Sequence, residues 1–299
     1  MATLYTHQSS NITKTWLLVG VFLAIVVGIG YFFSVYYGNP SILTFAIIFA
    51  VGMNIVSYWN SDKIAIAMAK AVPASTTQYV ELHQIVENLA ITAGLPKPKV
   101  YIIPDAAPNA FATGRNAKHA SIAVTQGLLQ SLTRTELEGV LAHELAHIGN
   151  RDILLQSMVA ILVGFIAIVA DMFTRSLLWG GGGGRDNDNR GSNVLAIVGI
   201  IFIILSPIIA TLIQLAISRR REYLADASGA LLTRYPEGLA SALEKISSYG
   251  APMKTASNAT AHMYISNPFG AKAASGLKHL FMTHPPAAKR IQILRDMSV

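Results

Sequence analysis

The chain has 299 residues, of which 13% are charged and 52% are hydrophobic, and its mean hydropathy is +0.45. A soluble protein carries roughly 25% charged residues, so much of this surface is predicted to face lipid. The formal net charge is +7, but no aromatic and basic repeat accompanies it, so we predict cytoplasmic membrane-protein loops and no nucleic-acid partner.

Four apolar segments each approach the ~20 residues that a helix needs to cross ~30 Å of hydrocarbon. We interpret the first as an uncleaved anchor rather than a signal peptide, because its apolar stretch is long and the second follows closely. Gln156 and Asp171 interrupt the third segment and Ser206 and Pro207 the fourth, so a shallow or partly buried hairpin is an alternative to full spans. The segments are Trp16 to Tyr36, Ile42 to Trp59, Ile153 to Phe173 and Val194 to Ile217.

Basic residues indicate the orientation of these segments. Lys63, Lys70, Arg151 and Arg219 to Arg221 flank one side, whereas the first opposite loop is uncharged and the second mixes both signs. The positive-inside rule assigns the first group to the cytoplasm. The predicted organisation is a two-helix anchor (1–60), a catalytic region (61–152), a membrane hairpin with a glycine-rich loop (153–217) and a second catalytic region (218–299).

The first polar region combines helix and strand patterns. Apolar residues at helical spacing predict a helix from Thr77 to Ala93, which Gly94 and Pro96 end. Two short strands and one extended segment are predicted after it. They are Lys99 to Ile103, His119 to Thr125 and, between them, Asn109 to Thr113.

The next helix carries the clearest chemical pattern. A capping box of Thr133 and Glu136 predicts its start, and it contains His143, Glu144 and His147. Residues four apart share a helix face, so both imidazoles can bind one metal ion. Glu144 lies on the adjoining edge, where it can act as general base toward water that the metal activates. The spacing in a capped helix therefore predicts a zinc peptidase site.

Catalytic zinc also needs a third protein ligand and an open position. The chain has no cysteine, so a carboxylate or a third histidine must complete the site, and we predict Glu222. Asp226 lies one turn further on the same face, where it can hydrogen-bond the second nitrogen of a ligand histidine. The alternative is a solvated acidic pair beside Arg219 to Arg221. Glu222 reaches the metal only if the last two apolar segments return the chain to the same side, which the charge pattern also predicts.

In these motifs the sequence resembles the HtpX family of membrane zinc metallopeptidases, relatives of the CAAX prenyl proteases. The resemblance implies one Zn²⁺ per chain, bound by His143, His147 and Glu222, with Glu144 as general base and Asp226 supporting a ligand histidine. The motifs are Asn109 to Gly114, Leu137 to His147, Asn150 to Asp152, Arg221 and Glu222 with Ala225 and Asp226, and Thr283 to Pro286 with Arg290 and Ile291.

The resemblance implies further roles near the site. His284 and Arg290 are expected to stabilise the oxyanion of the tetrahedral intermediate; the less favoured alternative for His284 is a turn residue before two prolines. One strand resembles the family's substrate-binding edge strand, to which an extended peptide adds; an ordinary edge strand is the alternative. Its residues are Asn109, Ala110, Phe111, Ala112 and Thr113.

The expected protein is mainly α-helical, with about four transmembrane helices and a small α/β gluzincin-like zinc peptidase domain on the cytoplasmic face of the bacterial inner membrane. The family suggests that its partners are the lipid bilayer and misfolded or damaged membrane proteins, cleaved in quality control and stress response. Its oligomeric state is left open. Alternatives are a narrow-specificity processing peptidase of the prenyl-protease type and a non-enzymatic scaffold or transporter. The segment from Gly250 to Ser275 is predicted to be mobile.

Overall fold

The structure is a computed structural model that describes residues 4–179, 219–270 and 285–297. Its first two helices, α1 (Leu4–Tyr37) and α2 (Pro40–Trp59), pack along one another and are long and apolar enough to cross a membrane. Large apolar side chains such as Phe32 and Phe45 are exposed on their outer faces, as expected where lipid is the solvent. These helices confirm the first two predicted apolar segments as candidate spans, but α1 begins well before Trp16.

The third predicted span differs from the first two. Helix α7 (Asp152–Trp179) follows α6 (Arg134–Gly149) across an 87° bend, and the two count as a third candidate span only when taken together. Nearly every side chain from Asp152 to Ile166 is buried within the protein. The described residues therefore contain two or three candidate spans where four were predicted. The fourth predicted span and the glycine-rich loop lie outside these residues.

A small mixed sheet packs beside α6, and its strand order is β1-β2-β4-β3. The central pair, β2 and β4, is parallel, and both outer pairs are antiparallel. The predicted strands and extended segment are confirmed, and β3 lies at the edge of the sheet. The strands are β1 (Val72–Pro73), β2 (Lys99–Ile103), β3 (Ala110–Gly114) and β4 (Ala120–Thr125).

Helix α6 occupies the centre of the globular part. The predicted capping box is present at its start, where Thr133 and Glu136 exchange hydrogen bonds. Its apolar side chains, including Val140 and Leu141, are fully buried in the largest core cluster. The other helices are α3 (Ser61–Met68), α4 (Val80–Thr92), α5 (Gln126–Ser131), α8 (Arg219–Thr233), α9 (Pro236–Ser248) and α10 (Ala287–Arg295).

Two glycines let α8 and α9 approach α6 closely. A Cβ atom at Gly229 of α8 would lie 3.0 Å from the backbone nitrogen of His143, and one at Gly139 of α6 would lie 2.6 Å from that of Leu239. The contact at Gly139 excludes a Cβ atom, and the contact at Gly229 is tight enough that the backbone of α6 would have to shift by a few tenths of an ångström. Backbone contact therefore sets the spacing between α6 and α8, which carry the predicted metal ligands.

The segment predicted to be mobile includes a part that is packed against the rest of the protein. Residues 259–265 are buried, and the Tyr264 ring meets the Phe111 ring edge-on at a centroid distance of 5.2 Å. The Ile265 backbone N–H also donates to the Ala110 carbonyl oxygen at 3.0 Å. The polar and alanine-rich composition concealed these few anchoring contacts.

The carboxylate of Glu136 joins α6 to α9. It accepts hydrogen bonds from the Thr133 backbone N–H, the Ser241 hydroxyl and the Lys245 ammonium group, each at 2.7 Å. Burial raises its pKa, but these hydrogen bonds outweigh burial and lower the pKa from 4.5 to about 2. The ionised form of Glu136 thus stabilises the folded state.

We expect Glu136→Gln to lower the free energy of unfolding by about 1–3 kcal/mol, because a charged acceptor of three hydrogen bonds is lost. Thermal unfolding of the purified protein should show a lower Tm for this variant. Because the folded-state pKa is depressed, the stabilisation is complete above the unfolded pKa of 4.5 and is lost as the pH falls towards 2. The difference in Tm should therefore shrink below pH 4.5.

Glu138→Gln provides the control. Glu138 pairs with Arg134 at 3.0 Å on the more exposed face of the same helix, and such pairs contribute only about 0.3–0.5 kcal/mol. Equal Tm shifts for the two variants would contradict the role given to Glu136.

Candidate metal centre

Three side chains from α6 and α8 converge in the buried interior. The Nε2 atoms of His143 and His147 lie 3.1 Å apart, and oxygens of Glu222 lie 3.9 Å and 3.6 Å from them. All three side chains are at most 4% exposed. The structure thus brings the three predicted ligands together, with one ligand atom of each within 4.8 Å of the others.

Asp226 supports the His143 ring from behind. Its Oδ1 lies 2.9 Å from His143 Nδ1, and Arg290 donates to both carboxylate oxygens at 2.6 Å and 2.8 Å. Burial raises the pKa of Asp226, but the Arg290 charge and the His143 hydrogen bond outweigh it and hold the pKa below the usual range. An ionised Asp226 places the imidazole proton on Nδ1 and leaves the Nε2 lone pair free for a metal.

Asp152 does the same for His147, and the sequence analysis did not give it this role. Its Oδ2 lies 2.9 Å from His147 Nδ1. Burial lowers the pKa of His147, but Asp152 and Glu222 outweigh burial and raise it. These carboxylates therefore favour the positively charged form of the His147 ring. In the sequence, the one signal for Asp152 was its place in Asn150 to Asp152, a motif that carries the family resemblance.

Glu144 is buried next to the ligands, on the side of the sheet. Burial raises its pKa from 4.5 to about 7, against the opposing effects of the His147 charge and the nearby Ala112 backbone N–H. A carboxyl group with a pKa near neutrality can both take and return a proton. Glu144 therefore places a group that can take and return a proton next to the edge strand β3.

The donor set fits a divalent cation. With each Nδ1 directed at an aspartate, the two Nε2 atoms and the Glu222 carboxylate are turned toward one another. Two imidazoles and one carboxylate are a common ligand set for catalytic zinc. Around them, four buried carboxyl groups face two buried guanidinium groups, so a cation would balance the charge. These groups are Glu144, Asp152, Glu222, Asp226, Arg221 and Arg290.

Arg290 is placed near the ligands, but its contacts differ from the predicted role. Besides Asp226, it donates to the Ile265 carbonyl oxygen at 3.1 Å, and it is 1% exposed. Its Nη1 also lies 3.7 Å from Glu222 Oε2. A guanidinium group held in this way supports Asp226, and the oxyanion role stays a prediction. His284 lies outside the described residues.

The predicted substrate strand is an edge strand, but its outward groups are partly engaged. Alternate residues of such a strand direct their backbone groups away from the neighbouring strand. Of these, the Ala110 carbonyl oxygen accepts from Ile265, and the Gly114 N–H donates to the Ser157 hydroxyl at 3.2 Å. The Ala112 N–H lies close enough to Glu144 to lower the pKa of its carboxyl group.

The side chains of this strand have structural contacts. Asn109 was predicted to bind substrate, but its side chain donates to the Ser266 carbonyl oxygen at 2.9 Å and accepts from the Ser266 N–H at 3.3 Å. The Thr113 hydroxyl lies 2.7 Å from that of Ser157, and Phe111 is fully buried. Substrate contact along β3 would therefore use the backbone.

Comparison with known proteins gives a consistent family. Residues 76–298 match peptidase family M48. A protease HtpX homolog of Caldanaerobacter subterraneus subsp. tengcongensis is 52% identical over 302 residues, covering 99% of each chain. A protease HtpX homolog of Pyrococcus furiosus is 48% identical over 288 residues, covering 96% of each chain.

A solved structure shares the fold. The crystal structure of S. mikatae Ste24p aligns with a TM-score of 0.51 and 19% identity, over 96% of this chain and 65% of that chain. At this identity the likeness concerns the fold alone.

We expect Asp226→Asn to weaken zinc binding about 10–100-fold, the usual effect of losing a carboxylate that supports a ligand histidine. The amide cannot stabilise the Nδ1 proton as a carboxylate does, and it deprives Arg290 of its nearest carboxylate. The measurement is competition for Zn²⁺ between the purified protein and a chelator of known affinity. Asp296→Asn, at an exposed position next to α10, is the control. Equal affinities in the two variants would contradict this role.

Proposed function

This chain belongs to peptidase family M48, and we propose that it is an integral membrane zinc endopeptidase that cleaves extended segments of misfolded or damaged membrane proteins. Its near relatives are HtpX-type proteases, and it is a metalloprotease of the same kind. The non-enzymatic alternative is therefore set aside. The metal, the substrate class and the residue roles are our proposal.

The convergence of His143, His147 and Glu222 carries the proposal. Each histidine has its Nδ1 directed at a buried aspartate and its Nε2 directed at the other ligands. A structural pair of histidines would not require a carboxylate behind each ring and a third facing both. When bound, Zn²⁺ would supply Lewis acidity that activates water and polarises the peptide carbonyl.

The chain's own groups divide the remaining work. Glu144 accepts the proton of the attacking water and returns it to the leaving amine. Asp226 and Asp152 keep the two ligand imidazoles in one tautomer and one orientation. Arg290 holds Asp226, so we assign it a positioning role, and the oxyanion role that the sequence suggested stays a prediction.

An extended substrate would add to β3 beside Ala112. The Ala112 N–H already faces Glu144, so a peptide at this point would lie next to the general base. Binding further along the strand would displace Ile265 from the Ala110 carbonyl oxygen. Addition to the strand requires a substrate whose backbone is extended. Unfolded proteins offer such segments more readily than compact ones, which supports misfolded proteins as substrates. A narrow-specificity processing peptidase has no comparable support.

The catalytic part is proposed to face the cytoplasm. The positive-inside rule supports this, since Lys63, Lys70 and Arg219 to Arg221 flank the membrane segments on the side of the metal centre. The division into an anchor, two catalytic regions and a hairpin stays a prediction.

We expect Glu144→Gln to slow cleavage of an unfolded protein such as casein by about 10²–10⁴-fold, because the general base is lost. Zinc content should stay the same, since Glu144 is not proposed as a ligand. Cleavage would be followed by gel electrophoresis and zinc by atomic absorption. Glu138→Gln, on the same helix but away from the ligands, should cleave like the wild type. Full activity of Glu144→Gln would refute the mechanism.

Orientation can be tested with single cysteines, since the natural chain has none. Ser41→Cys labels an exposed position in the first turn of α2, next to its connection with α1, and Lys118→Cys labels an exposed position before β4. In intact spheroplasts, a membrane-impermeant maleimide should modify Cys at 41 and should modify Cys at 118 only after permeabilisation. The reverse pattern would place the catalytic part outside the cytoplasm.

A further inference from the structure

Asn11 of α1 is a buried amide whose two ends are both engaged. Its side chain is 3% exposed, and Nδ2 donates to Asp152 Oδ1 at 2.6 Å and to the Asn150 carbonyl oxygen at 3.2 Å. Its Oδ1 accepts from Arg221 Nη1 at 3.0 Å. The amide orientation follows from these partners, because the reversed orientation would oppose oxygen to carboxylate and NH₂ to guanidinium.

These contacts join α1 to the start of α7 and to α8, the helix that carries the proposed ligand Glu222. Asp152 is the first residue of α7, and Arg221 precedes the proposed ligand Glu222 in α8. The Asp152 oxygen that Asn11 does not touch lies 2.9 Å from His147 Nδ1. Rotation of the Asp152 carboxylate would move that oxygen, so the hydrogen bond from Asn11 fixes its direction.

The two aspartates behind the ligand histidines are held in place by different groups. Arg290 holds the Asp226 carboxylate by two close hydrogen bonds. The corresponding guanidinium beside Asp152 is more distant, with Arg221 Nε 3.6 Å from Oδ1. The short bond to Asp152 comes from Asn11, which thus does for His147 part of what Arg290 does for His143.

We propose that Asn11 is a positioning residue of the metal centre, which orients the His147 ring through Asp152. The first membrane helix then contributes to metal binding in addition to anchoring the chain. This inference rests on the proposed function, since it requires that His147 binds the metal.

The test measures zinc affinity by chelator competition in the full-length protein, in a Glu144→Gln background that prevents self-cleavage. We expect Asn11→Leu to weaken zinc binding about 10–100-fold. Thr15→Val is the matched control, because Thr15 is equally buried on α1 and its hydroxyl bonds only the Asn11 carbonyl oxygen among the described residues. It should stay within about twofold of the background protein.

A double-mutant cycle separates positioning from general stability. If Asn11 acts through Asp152, then Asn11→Leu should have little further effect on zinc affinity in an Asp152→Asn background. Should Asn11→Leu not fold, Asn11→Asp replaces it, because it keeps an acceptor for Arg221 and loses the donor to Asp152.

The outcomes distinguish the inference from its premise. Unchanged zinc affinity in the Asn11 variants, or independent effects of the two substitutions, would overturn the role of Asn11 and leave the proposed function standing. Absence of zinc binding by the background protein would overturn both.

Discussion

The metal centre depends on the close approach of α6 to α8. Gly229 touches the backbone of α6 at His143, and Asp226 and Glu222 lie about one and two turns earlier on α8. Because a helix repeats its face every three to four residues, one glycine contact places both carboxylates against the imidazoles. A Cβ atom at Gly229 would separate the helices and move both carboxylates from the rings. Packing of backbone on backbone is thus the condition on which the chemistry of this site is built.

The buried charges make this arrangement costly without a cation. Carboxylates in a protein interior are stable only when they are paired and hydrogen-bonded. Arg290 and Arg221 provide part of that pairing, and each stands beside the aspartate of a different histidine. Arg290 also lies 3.7 Å from Glu222 at the centre of the site. Two guanidinium groups stand against four carboxyl groups, and a cation held by the three ligand atoms would add to this pairing. This imbalance favours a metal at the point where its three ligands meet.

Local patterns predicted much of this site, and they did so where helical spacing applies. The capping box of Thr133 and Glu136 marked the start of α6, and the spacing of four residues put His143 and His147 on one face. The need for a third ligand pointed to Glu222, and the same spacing then gave Asp226. Asp152 escaped this reasoning because Arg151, with φ of 58°, ends the helical geometry between it and His147. Beyond an 87° bend, spacing along the chain no longer indicates which side chains face one another.

Contacts between distant segments were beyond any local pattern. Asn11 lies 141 residues from Asp152, and a polar residue before an apolar span usually marks the membrane surface. The packed segment around Tyr264 was likewise hidden, because a few buried side chains decide its order and its average composition does not. Both cases concern polar groups whose partners come from another part of the fold. A buried amide must find such partners. Where the end of a membrane helix enters a protein interior, its polar residues can therefore have a functional role that the sequence does not reveal. In α1 this residue is Asn11, which contacts Asp152 behind the His147 ring.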